Sequence, residues 1–211
     1  EKDRLGGHDP YSNSKACAEL VTEGYRDSFF NTLKSDGPVI CSARAGNVIG
    51  GGDWSEDRLI PDMMRAFSAN KTMVVRNPGA VRPWQHVLDP LYGYLLLAEK
   101  AFDFFDVSGG YNFGPTNVDG VTVLEILEKV KEILGDGFNY QANESQDNPH
   151  EAGLLRLDSS KAKVKIGWES KLDINETLDM VVQWYNQFET NPDKIKQFTL
   201  EQINYYQDRT P

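Results

Sequence analysis

The sequence predicts an α/β fold with some parallel sheet, and three observations carry that expectation. Short apolar runs suited to strands alternate with longer amphipathic segments suited to helices. Glycine and proline punctuate the joints between them. The chain has 211 residues, 39% of them hydrophobic and 26% charged, enough to bury a sizeable core.

The elements follow in order. Asp9-Pro10 reads as a helix start, with Asp9 as cap and Pro10 in the first turn. The helix is expected over residues 10–33, with Ala16, Leu20, Val21 and Tyr25 as its buried face. After Gly37-Pro38, residues 39–43 (VICSA) form a short buried-strand pattern, and 46–52 a glycine-rich turn. Residues 59–69 suit a helix, and 72–76 and 85–88 suit strands. Asp89-Pro90 is expected to cap a helix running to about Phe102, and 110–113 is another strand. Residues 122–134 are amphipathic and closed by Gly135 and Gly137. A long polar loop over 137–150 follows, the kind of loop that tends to border a ligand. Asp173-Ile-Asn-Glu176 is a capping-box analogue opening a helix to about Phe188, and Thr199–Gln202 opens a short last one. There is no internal repeat.

Composition excludes several classes. With 32 acidic and 22 basic side chains the net charge is -10, which argues against nucleic-acid binding, where clustered Lys and Arg must neutralise phosphates. A small anion held by a few local arginines remains compatible with it. No apolar run reaches the roughly 18–20 residues that span a bilayer, so no membrane partner is expected. The opening EKDRLGGHDP is polar, with charges of both signs, and does not read as a signal peptide. Two cysteines, Cys17 and Cys41, make neither a disulfide framework nor a metal site, so reduced thiols and a cytoplasmic location are expected. His8 and His86 belong to no cluster with metal-ligand spacing, and no metal is expected.

Tyr11 and Lys15 are four apart on the first helix and share one face. An ammonium beside a phenol favours the phenolate. A phenolate near a sugar hydroxyl can take its proton. Such a pair is also common on ordinary surfaces, and its neighbours decide the matter. GGHDPYSNSKACAEL is followed by RAGNVIGGGDW, RLIPD, RNPGAVRPWQHV, YNFGP and NPHEAGLLRLDSSKA. This ordered series resembles the extended short-chain dehydrogenase/reductase family, in its nucleotide-sugar-modifying branch, and spans residues 6 to about 162.

The resemblance implies the C-terminal part of a Rossmann-type NAD-binding fold plus a smaller α/β lobe for the nucleotide sugar. Residues 1–55 would be the Rossmann remnant with the catalytic helix, and 56–211 mainly the substrate lobe, interleaved with late Rossmann elements. It implies NAD as cofactor, a nucleotide sugar as substrate and a homo-oligomer in the full-length parent. The implied reaction is dehydration of CDP-glucose to CDP-4-keto-6-deoxyglucose. Tyr11 would take the C4 hydroxyl proton, and Lys15 would favour the phenolate and bond the nicotinamide ribose. In the family, Asn47, Arg58, Leu59 and Arg82 correspond to residues at the substrate, with Asn47 and Arg82 on its diphosphate. Arg76 would border the base, and Asn112, Asn148, His150 and Glu151 would close the site. The family's Gly-x-x-Gly-x-x-Gly turn has no match here, so roughly the first third of such an enzyme, with its water-expelling acid and base, is expected to lie outside this sequence.

Other features take ordinary readings. Cys17, six residues after Tyr11, is expected to pack on the far side of the helix, and Trp184, Tyr185 and Phe188 to be core. Two rivals stay open: another epimerase or dehydratase of the branch, and a CDP-sugar-binding fragment without catalysis.

Overall fold

The computed structural model describes residues 4–30, 37–116, 120–142 and 153–209. Asn148, His150 and Glu151 lie outside the described residues.

Helix α1 spans Pro10–Phe29, and Asp9 caps it as its sequence predicts, in an extended backbone with its carboxylate accepting from the Ser12 amide. Strand β1 (Cys41–Ala45) follows, then β2 (Asn47–Ile49) inside the stretch expected to be a glycine-rich turn. Next come α2 (Leu59–Ser68), β3 (Met73–Val75), β4 (Val81–Arg82), β5 (Trp84–His86) and α3 (Leu88–Asp103). The second half holds β6 (Gly109–Phe113), β7 (Val121–Thr122), α4 (Val123–Leu134) and β8 (Tyr140–Ala142). Helices α5 (Ser160–Ile166), α6 (Ile174–Thr190) and α7 (Ile195–Gln207) complete it.

The strands pair two by two. β1 runs parallel to β6, β2 to β5 and β3 to β8, while β4 and β7 are antiparallel. Three parallel pairs with helices between partners match the α/β expectation. Two apolar clusters back them. In one, α2, α4 and α6 pack Met63, Ile126, Leu127 and Leu178 against Trp84 of β5. In the other, Tyr111 and Phe113 of β6 meet Leu97 of α3, Ile166 of α5 and Trp168.

Several expectations are corrected. Of the face assigned to α1 only Ala16 is buried, because no described element covers Leu20, Val21 or Tyr25. Cys17 is exposed rather than packed. Asp89 does not cap α3. Val87 is the N-cap with helical dihedrals, so Asp89 already lies within the first turn and its side chain turns inward. The last helix starts at Ile195, and Thr199 sits inside it, its hydroxyl donating to the Ile195 carbonyl at 2.8 Å. The polar loop beyond Gly137 contributes β8 to a sheet. Tyr185 is fully buried, but Phe188 lies at the edge of the core, 36% exposed. No helix among the described residues is long and apolar enough to cross a membrane, and none of their His, Cys, Asp and Glu side chains gather in threes to hold a metal.

Candidate active site

A cleft of about 1160 Å³ opens between the end of β2, the start of α2 and strands β3 and β4. It gathers Tyr11, Asn47, Arg58, Leu59, Arg76 and Arg82, six of the eleven residues singled out from sequence. Each arrives by a local device. The Asp9 cap and Pro10 fix the start of α1, which puts Tyr11 at the cleft in the first turn. Hydrogen bonds from the Ser12 backbone and hydroxyl hold the Asp9 carboxyl below its ordinary range, as suits an ionised cap. Tyr11 is 72% exposed, and the Lys15 ammonium lies over its ring, 5.5 Å from the centroid.

Asn47 opens β2. Its amide donates to the Pro83 carbonyl at 3.1 Å, and it pairs in register with Trp84. Arg82 is therefore only two residues from the partner of Asn47. β4 is held on both sides, by β7 and by the segment 153–155, with Val81 N to Gly153 O at 2.9 Å and Leu155 N to Val81 O at 3.1 Å. The Arg82 side chain is 7% exposed, and one guanidinium N–H donates to the Val81 carbonyl at 2.9 Å. Its charge is thus set in a low-dielectric wall, where it acts strongly on an anion.

Arg58 is the N-cap of α2, with no side-chain bond to the helix amides. Leu59, Ile60, Pro61 and Asp62 of the first turn line the cleft, so the positive end of the helix dipole faces it. Arg76 follows β3 and is 3.6 Å from Asp57, an exposed pair at the rim.

Sequence reading missed Asp53, Asp57, Asn77, Trp84 and Leu157, which also line the cleft. The signals were present in GGDWSEDR and in the Asn77-Pro78 turn, but nothing in them says which way a loop residue points. Burial disfavours the Asp53 anion, but hydrogen bonds from Ser55 and the charges of Arg58 and Arg65 outweigh it, so its carboxyl sits below the ordinary range. The structure does not bring two of the described candidates into the lining. Lys15 stands one turn behind Tyr11. Asn112 is buried on β6, where its amide donates to the Asp158 carbonyl at 3.3 Å and ties α5 to the sheet.

The cleft thus combines an exposed phenol beside an ammonium, a helix N-terminus, three guanidinium groups and four carboxylates, of which Asp9 caps α1, Asp57 pairs with Arg76, Asp62 pairs with Arg65 and Asp53 accepts from the Ser55 amide. That set suits a hydroxyl-bearing ligand with an anionic, phosphate-like centre.

Known proteins agree with this architecture. The chain is 46% identical to CDP-glucose 4,6-dehydratase of Salmonella typhimurium over 188 residues, which is 88% of this chain and 52% of that protein. It spans about half the length of the curated relatives it matches. Among solved structures it resembles UDP-glucuronic acid 4-epimerase from Bacillus cereus in complex with UDP-glucuronic acid and NAD. The TM-score is 0.71 at 18% identity, covering 89% of this chain and 58% of that one. It also resembles dTDP-glucose 4,6-dehydratase from Bacillus anthracis in complex with NAD, with TM-score 0.70 at 24% identity, covering 94% and 57%. These likenesses show the Rossmann-type fold. Residues 1–181 match the profile of the GDP-mannose 4,6 dehydratase family, and the chain belongs to that family.

Proposed function

We propose that this chain forms the nucleotide-sugar-binding half of an NAD-dependent 4,6-dehydratase that acts on CDP-glucose. The observation that carries the reading is one cleft holding Tyr11 with Asn47 and Arg82, in a chain 46% identical to a CDP-glucose 4,6-dehydratase. In this reading Arg82 and the first turn of α2 bind the diphosphate, Asn47 adds a neutral hydrogen bond, and Arg76 borders the cytosine. Arg58 and Leu59 pack along the ligand. Tyr11 accepts the proton of the C4 hydroxyl, and the Lys15 ammonium favours the phenolate. Asn148, His150 and Glu151 remain candidates for closing the site. Asn112, bonded to the Asp158 carbonyl outside the cleft lining, remains a candidate for closing the site from behind the sheet.

The Tyr11–Lys15 pair fits one end of NAD, since an exposed ammonium beside a phenol suits ribose hydroxyls. No glycine-rich turn for the pyrophosphate is found in the 211 residues. When bound, NAD supplies a reversible hydride acceptor. The β1–β6 pair with α3 and α5 would be the Rossmann remnant, and the cluster of α2, α4 and α6 the substrate lobe. A soluble homo-oligomer in the cytoplasm accords with this biosynthetic reading.

The experiment incubates the native protein containing these residues with CDP-glucose and NAD in deuterated water. A 4-keto-6-deoxy product with deuterium at C5 is expected. A C4 epimer with intact C6 hydroxyl would replace dehydration by epimerisation. CDP-glucose binding to the 211-residue chain with no product from the native protein would leave a binding module.

A further inference from the structure

Helix α1 meets the rest of the molecule sparingly, since of its 20 residues only Ala16 is buried. Its firm attachment is polar. Arg44 of β1 donates from Nε to Glu19 Oε1 and from Nη2 to Glu19 Oε2, both at 2.7 Å, a two-point fork on a half-buried carboxylate. The Arg44 hydrogen bond holds the Glu19 carboxyl below its ordinary range against the opposing effect of burial. The slot for the guanidinium is built by a missing side chain. Gly110 of β6 pairs with Ser42, and a Cβ on it would lie 2.7 Å from Arg44 Nη2 and 3.1 Å from its Cζ.

Tyr11, Lys15 and Glu19 follow one another at four-residue intervals, so they form one stripe on the helix. Glu19 stands one turn beyond Lys15, as Tyr11 stands one turn before it. A free carboxylate there would draw the ammonium toward itself and off the phenol. Instead each Glu19 oxygen accepts from Arg44, with Ser42 beside it, so the carboxylate is drawn to the sheet, and Lys15 Nζ lies over the Tyr11 ring.

We propose that Arg44 is a positioning residue: by holding both oxygens of Glu19 against the sheet, it leaves Lys15 to Tyr11. The inference rests on the reading of Tyr11 and Lys15 as the reacting pair, and it deepens that reading without depending on the sugar. Because Arg44 lies three residues before Asn47, the same fork joins the helix of the phenol to the strand leading into the cleft.

The test is NMR on the 211-residue chain, reading the ε-methylene resonance of Lys15. Over an aromatic ring that resonance is displaced upfield, and Tyr11→Leu defines complete loss of the displacement. Arg44→Gln releases Glu19 and is expected to lose most of the displacement. Adding Glu19→Gln removes the competing carboxylate and is expected to restore it, although the fork stays broken. A purely structural Arg44 predicts no restoration. Gly110→Ala is expected to push the guanidinium aside and behave like Arg44→Gln. Glu19→Gln alone, which retains one acceptor for Arg44, is expected to keep the full displacement. The proposal is overturned if Arg44→Gln leaves the Lys15 signal unmoved, if the double variant stays as low as the single, or if Glu19→Gln alone loses the displacement. CDP-glucose titration of the native protein containing these residues separates the two levels. No binding with the predicted NMR pattern sinks the substrate assignment and leaves the role of Arg44 standing.

Discussion

At the residue scale Arg82 is the proposed anchor for a ligand's anionic centre, because its strand β4 is hydrogen-bonded on both flanks, to β7 and through Val81 to the segment 153–155. A preorganised guanidinium loses little freedom on binding. One hydrogen bond to a charged group contributes about 1.5–3 kcal/mol, so Arg82→Ala is expected to weaken CDP-glucose binding by about one to two decades. Arg82→Lys keeps the charge without the planar fork and should recover only part of the loss. Calorimetry at two salt concentrations checks this, and wild-type affinity in Arg82→Ala would remove Arg82 from the site. The juxtaposition of Tyr11 and Lys15 was legible in the sequence because their relation is local: four residues on a helix fix a shared face. Asn112 stands outside the cleft lining, and a strand's alternation does not tell which of its two faces borders a cleft and which meets the segment before α5. Sequence reading also gave no sign of Arg44, whose partner is 25 residues away and whose slot is the absence of a Cβ on the neighbouring strand β6.

At the scale of elements, local capping was legible at some helix starts and misread at α3 and the last helix, where Asp89 and Thr199 lie inside the helix. Asp9 and Asp173 cap the helices their sequence announces, and Thr122, expected as the first residue of its helix, is instead its cap; Thr122 and Asp173 each have a reciprocal Glu bond. Asp173→Ala removes acceptors for the Asn175 and Glu176 amides at 2.8 and 2.9 Å. The expected loss is about 1 kcal/mol, hence a fall of about 2–4 °C in Tm, with CDP-glucose affinity unchanged because Asp173 is not among the residues lining the cleft. Gly51→Ala should behave differently. Its new Cβ would lie 2.1 Å from Cγ of Trp184, a ring stacked on Phe188 and bonded to Thr199 at 2.9 Å. Overpacking of this kind costs about 1–3 kcal/mol. The strain also reaches the loop that carries Asp53, Asp57 and Arg58, so both Tm and affinity are expected to drop. Equal affinities in the two variants would separate that loop from the site. The elements sequence reading passed over have a common cause. β4 and β7 hold two residues each and exist only through partners about forty positions apart, and α5 (SKAKVKI) is polar enough to look like a loop until Ala162 and Ile166 meet the sheet.

Across the whole molecule, Asp89 joins segments that no local pattern connects. Its carboxylate is completely buried and accepts from the Lys171 amide at 2.8 Å, the Ser170 hydroxyl at 2.9 Å and the Tyr206 hydroxyl at 2.9 Å. The first turn of α3, the turn before α6 and the last helix thus meet on one side chain, and the Trp168 indole donates to the Asp89 main-chain carbonyl at 3.1 Å. Burial pushes the Asp89 carboxyl above its usual value of 3.8, the three donors opposing it, and burial with the Asp89 charge pushes the Tyr206 phenol up. A carboxyl raised in the native state binds protons that the unfolded chain does not, so its contribution is complete below the ordinary carboxylate value and is lost as pH rises through the native one. His86, which burial lowers from 6.5 to about 4, acts in the opposite sense and costs stability as pH falls through that interval. Comparing wild type with Asp89→Asn isolates the first effect, because His86 titrates in both proteins. Asn keeps an oxygen for Tyr206 and Lys171 and turns its amide to the Ser170 hydroxyl, but it has no proton to gain. The Tm of wild type minus that of Asp89→Asn is therefore expected to grow as pH is lowered from about 7 toward about 4. Asp89→Leu, which strands three buried donors at about 1–3 kcal/mol each, should lower Tm at every pH. A difference between wild type and Asp89→Asn that stays flat across the range would mean that the carboxyl is not raised, and that the junction is held by its neighbours' packing rather than by a buried acid.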